Sequence, residues 1–205
     1  MHVDFYAATL MKLAALAHLT VGVYAIQAPD VPVSVDKAAH YALEATLHGA
    51  AAGVDPYELV GIARNESDFI ETMVGPDGKD CGLTQTRVTI TRFSCRQLRH
   101  SYALAFREAA REMHEYGAAC RGHADYDRCR LNYYNSGVRY ARTGFHGAYW
   151  LRVKCFAAAA RSGITVANSC RRVRSRGDIA RVLRRGLERT RARALVAAAA
   201  SRPST

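Results

Sequence analysis

The segment Asp55-Pro-Tyr-Glu-Leu-Val-Gly-Ile-Ala-Arg-Asn-Glu66-Ser-Asp-Phe-Ile70 sets a carboxylate among apolar residues at helical spacing. Leu59, Ile62, Ala63, Glu66, Phe69, Ile70 and Met73 follow the i, i+3, i+4, i+7 rhythm of one buried stripe. A carboxyl held against apolar neighbours is harder to ionise, and a raised pKa is what a general acid working near neutral pH requires. A Glu at the edge of the stripe, satisfied by a hydrogen bond or an arginine, fits the same residues without any chemistry. Asp68, Glu71, Asp77 and Asp80 stand near by as candidate second carboxylates. Asp68, two residues from Glu66, faces another side of the helix. Asp77 and Asp80 fall in the turn-rich run from Val74 to Gly82, where turn formation accounts for them more simply. Cys120, His123 and Cys129, with His114 close in sequence, are possible metal ligands, but their spacing matches no paired CxxC pattern. The sequence therefore gives no positive sign of a metal or an organic cofactor.

The elements that must position Glu66 are well marked. Asp55 is a good N-cap, Pro56 suits the first helical position, and Glu58 completes a capping-box pattern. Ser34 can cap a helix over 35–52, with Ala38, Tyr41, Ala42, Ala45 and Leu47 among its apolar positions and Gly53 ending it. Residues 97–116 predict one helix with Leu98, Tyr102, Ala105, Ala109 and Met113 on one side, its mixed Arg and Glu residues reading as a solvated face. A helix through Leu131 should end on Gly137, and another starts at Tyr149. Thr86 to Ile90 is rich in β-branched residues and reads as a short strand or an irregular turn. The fold class is thus mainly α, with little or no sheet.

Across its 205 residues the chain is 49% hydrophobic, enough for one domain with a sizeable core and excludes wholesale disorder. Its net charge of +11 is concentrated at one end: residues 171–205 carry 11 Arg against Asp178 and Glu188. Ile179, Val182, Leu183 and Leu187 make that tail an amphipathic basic helix, although Gly186 weakens the pattern. It suits a solvated face or anionic envelope polymers and lipid; with no aromatic residue it offers nothing for base stacking, which argues against nucleic acid. Six cysteines suit disulfides in an exported protein, with nearest-neighbour pairing 81–95, 120–129 and 155–170 as the expectation and reduced core cysteines as the alternative. The apolar run Leu13 to Ala25 after Lys12, with Val23-Tyr24-Ala25 as a cleavage-like end, reads as a signal peptide over 1–25. A packing helix and a retained anchor are the competing readings. Pro29 and Pro32 make 26–35 a linker, leaving 36–170 as the domain and 171–205 as the Arg-rich tail.

Three further motifs complete the pattern. Glu66-Ser67, Gly82-Leu83-Thr84-Gln85 and Tyr134-Asn135-Ser136-Gly137, in that order and with Tyr149 and Val153 after them, resemble the SLT-type lytic transglycosylases of the lysozyme-like superfamily. The resemblance covers about residues 36–156 and implies a lysozyme-like catalytic domain. It implies cleavage of the β-1,4 bond between N-acetylmuramic acid and N-acetylglucosamine in peptidoglycan, with Glu66 as acid and then as base, closing a 1,6-anhydro ring. By the same resemblance Ser67 supports the glutamate or contacts sugar, and Gln85 hydrogen-bonds the saccharide. Tyr134 lies near the glutamate on the cleft floor, Asn135 shapes the helix end or touches substrate, and Tyr149 closes the cleft opposite. Thr84, Tyr133 and Ser136 depart from the family's usual Met and small alanines, and Cys81 directly precedes the Gly-Leu turn, which bears on the saccharide subsites. The glycan strands of peptidoglycan are the implied partner, along with service to a secretion or injection apparatus. The implied location is periplasmic, extracellular or virion-associated. A muramidase hydrolysing the same bond and a non-catalytic peptidoglycan-binding module are the alternatives.

Overall fold

The computed structural model describes residues 2–141 and 147–200; residue 1 of the expected leader and residues 201–205 of the tail lie outside the described residues. Eight α-helices are described: α1 (His2–Ile26), α2 (Val35–Ala52), α3 (Pro56–Ser67), α4 (Cys95–Arg99), α5 (Tyr102–Ala119), α6 (Tyr126–Ala141), α7 (Gly147–Arg161) and α8 (Arg176–Ala200). A 3-10 turn spans Ser169–Arg172. Strands β1 (Asp80–Cys81) and β2 (Thr86–Arg87) form one antiparallel ladder, with Asp80 opposite Arg87 and Cys81 opposite Thr86. The fold is mainly α.

α3 is the axis of the core. It packs chiefly on α7, and also on α2 and α5. Leu59, Val60, Ile62 and Ala63 are fully buried, each large aliphatic side chain contributing about 1.5–3 kcal/mol by its removal from water. Gly61 permits the close approach to α7: a Cβ there would lie 2.8 Å from the Val153 carbonyl oxygen. Asp55 caps α3 as its sequence suggests, accepting from the Tyr57 amide at 3.1 Å, with Pro56 in the first turn. Glu58 does not close a capping box. It is buried, accepts from Arg130 Nη2 at 2.6 Å and pairs with Lys154, and Asp127 bridges both cations. Burial makes the ion pairs the stronger claim on that carboxylate.

α2 runs as expected from the Ser34 cap to Gly53, which adopts φ 67°. The helix predicted over 97–116 is instead two. Ser94 and Gln97 form a capping box that starts α4, and Ser101 caps α5 by accepting from Leu104 N at 3.2 Å, so the chain turns at His100. α6 is broken at Gly137, whose φ 65° and ψ −178° are not helical, at the position where a helix end was expected. In α8, Gly186 is a contact point and not a break: a Cβ there would collide with Ile164 Cγ2. Ile179, Val182 and Leu183 pack on the core while Arg184, Arg185 and Arg189 face outward.

Leu19, Val23 and Ile26 of α1 are buried, and the helix packs on α2 and α7. Residues 27–34 turn tightly, with Gln27 Oε1 accepting from Val33 N at 2.6 Å and Ala28 and Val33 buried. No helix among the described residues is long and apolar enough to cross a membrane. The disulfides are Cys81–Cys95, Cys120–Cys129 and Cys155–Cys170, the nearest-neighbour pairing, as suits an oxidising, exported environment.

Candidate functional site

Beside the C-terminal end of α3 lies a cleft of about 830 Å³, lined by Glu66, Gln85, Tyr134 and Asn135 together with Met73 to Pro76, Asp80, Arg87, Glu112 and Tyr116. Four of the six residues singled out from sequence therefore share one cavity. Ser67 and Tyr149 are buried and outside its lining.

Ser67 serves the scaffold. Its Oγ donates to Leu83 O at 2.6 Å and approaches Ala63 O at 3.1 Å, which ties α3 to the Gly82–Gln85 turn. Gly82 at φ 79° makes that turn, and a Cβ there would sit 2.4 Å from Leu98 O. The Cys81–Cys95 bridge and α4 thus fix the turn from its other side. Gln85, at φ 50°, donates its amide to Met73 O (3.2 Å) and Gly82 O (2.9 Å), so its Nε2 braces the loop that forms the cleft rim. Tyr134 of α6 donates to Thr84 O at 2.9 Å, closing the far side of the same turn. Asn135 is exposed at the edge, with its amide on Ser136 Oγ at 2.9 Å.

Glu66 is only partly exposed, and burial pushes its carboxyl up to about 7. Tyr149, Arg152 and Arg171 pull in the opposite direction and Asp80 adds to the rise. The buried Tyr149 hydroxyl has no hydrogen bond of ordinary geometry among the described residues, yet it lies near enough for each group to act on the other. It favours the ionised carboxylate; burial first, and then Glu66, raises the phenol well above its ordinary range. Tyr149 belongs to the hydrophobic core. Arg152 Nε donates to Asn65 Oδ1 at 3.1 Å, and Arg171 reaches the Arg64 and Asn65 carbonyls and Asp68 Oδ1, capping the last turn of α3. Asp68 also pairs with the fully buried Arg64.

Just past Glu66, Asp68 (φ 56°) and Phe69 (φ 66°) hold left-handed backbone that non-glycine residues seldom adopt. With Gln85 they put three such residues beside the cleft, each at a cost of about 1 kcal/mol or more that surrounding contacts must offset. Phe69 is held by stacking on Tyr41, ring centroids 5.6 Å apart.

Glu112 was not legible as a site residue when the charges of α5 read as a solvated face. It is buried, as is Glu108. The signal was present: Ala105, Glu108, Ala109, Glu112, Met113 and Tyr116 repeat the same i, i+3, i+4, i+7 stripe that marked Glu66. Among the described residues no group of His, Cys, Asp or Glu is arranged to hold a metal ion. No protein-family model matches the chain, and neither a curated protein nor a solved structure is detectably similar to it.

Proposed function

We propose that this chain is a peptidoglycan lytic transglycosylase in which Glu66 works alone, as acid and then as base. The observation that carries the reading is a carboxyl held near neutral pKa by burial and opening onto a cleft that Gln85 and Tyr134 also line. Protonated Glu66 gives its proton to the glycosidic oxygen as the bond to the N-acetylmuramic acid C1 breaks. The carboxylate then takes the proton of the C6 hydroxyl, whose oxygen bonds to C1. Water enters neither half of this sequence, and the internal nucleophile supplies the proximity that a second protein carboxylate would otherwise provide. Arg152 and Arg171 favour the ionised intermediate state of Glu66, while burial favours its reprotonation.

A muramidase cutting the same bond with water is the second reading, favoured by the presence of a second carboxylate, Asp80, in the cleft lining. The exposed arginines of α8 support attachment to anionic envelope polymers in either case. Mass spectrometry of muropeptides released from purified sacculi tests the proposal. Anhydro-muramoyl ends are expected; reducing ends would assign the muramidase, and binding without release would assign a glycan-gripping module.

A further inference from the structure

α5 turns two carboxylates inward, and they are treated differently. Glu108 is satisfied: Thr91 Oγ1 donates to its Oε2 at 2.9 Å and Arg111 Nε at 3.0 Å. Glu112, only 4% exposed, makes no hydrogen bond among the described residues, and its nearest cationic atom, Arg111 Nη2, is 4.0 Å from Oε1. A buried carboxyl with no hydrogen bond and only one distant cation costs free energy. Glu112 lines the same cleft as Glu66.

Its surroundings define the form it takes. Glu108, Arg111, Glu115 and Tyr116 lie along its own helix, Asp80 stands on β1, Arg87 on β2, Tyr134 on α6 and Glu66 on α3. Burial pushes Glu112 up to about 8; Arg111 opposes the rise, and Glu108, Glu115 and Asp80 assist it. At neutral pH the group is therefore a neutral acid, a donor through its O–H and not a base that could activate water. The Tyr134 hydroxyl donates to Thr84 O and makes no hydrogen bond with Glu112 among the described residues.

Building on the glycan reading above, we infer that Glu112 is a substrate-contacting residue, donating a hydrogen bond to an uncharged oxygen acceptor of an N-acetylated amino sugar seated beside Glu66. Glu112 lines the cleft and makes no hydrogen bond to the protein among the described residues, which leaves its carboxyl available to a bound sugar.

The test uses the full chain carrying Glu66→Gln, so that ligand is bound without turnover, and a hexasaccharide of N-acetylglucosamine as the probe in calorimetric titrations. Adding Glu112→Leu should weaken binding about tenfold without lowering thermal stability, since an apolar side chain suits the buried position. Adding Glu112→Gln, which keeps a donor, should hold affinity within about threefold. Equal affinity in the Leu variant would overturn the inference. As a readout that does not depend on the Leu variant folding, affinity should fall between about pH 7 and pH 9 in the Glu66→Gln protein and stay flat with Glu112→Gln added. The same fall in both proteins would overturn it. Absence of hexasaccharide binding in the Glu66→Gln protein itself would overturn the glycan reading, and this inference with it.

Discussion

Ser67 Oγ donates to the Leu83 carbonyl at 2.6 Å, fastening the helix that carries Glu66 to the turn that carries Gln85. The hydroxyl next to the acid therefore acts by holding two cleft walls in register. Both partners are buried, so losing the bond leaves an orphaned carbonyl.

Ser67→Ala should destabilise the fold by about 1–3 kcal/mol and lower kcat more than KM, because the turn and not a sugar contact is lost. Chemical denaturation with parallel kinetics on sacculi checks this. An unchanged stability with a raised KM would return Ser67 to the role of sugar ligand.

Glu66, raised to about 7, must be protonated to act as acid, so kcat/KM should fall about tenfold per pH unit above that value. The linkage has a definite sign. A carboxyl raised in the folded state favours folding below its unfolded value, and that contribution is lost as pH climbs through about 7. Glu66→Gln should thus raise the melting temperature relative to wild type at about pH 8 and much less at about pH 5. A rate that stays flat through pH 8, or a variant no more stable there, would show Glu66 to be an ordinary surface acid.

Glu58 holds Arg130 and Lys154 together at the start of α3. Glu58→Ala leaves a buried guanidinium with Asp127 alone and should cost about 3–5 kcal/mol. Equilibrium unfolding reads this directly, and a loss under about 1 kcal/mol would mean that solvent replaces the carboxylate.

What could be read from sequence was local. Ser34, Gly53, Asp55 and Pro56 mark helix ends through contacts within a few residues, and the α2 and α3 boundaries followed. Close cysteine neighbours gave the disulfide pairs in the same way. Glu58 was misread as a cap because its partners Arg130 and Lys154 are 72 and 96 residues distant. The break between α4 and α5 depends on Ser101 competing as a cap inside a continuous apolar stripe, which periodicity alone does not reveal. Glu112 was hidden by its arginine and glutamate neighbours although its spacing put it with Ala109 and Met113. The site residues Glu66, Gln85, Tyr134 and Asn135 were found as separate motifs; their shared cleft is a property of the packing.

The most direct measurement is muropeptide release from purified sacculi by wild type and by Glu66→Gln protein whose circular dichroism and melting temperature establish that it is folded. Glu66 as the lone acid and base predicts anhydro-muramoyl products from wild type and a drop of at least about a hundredfold in the variant. Release by the folded variant at near wild-type rate would contradict it.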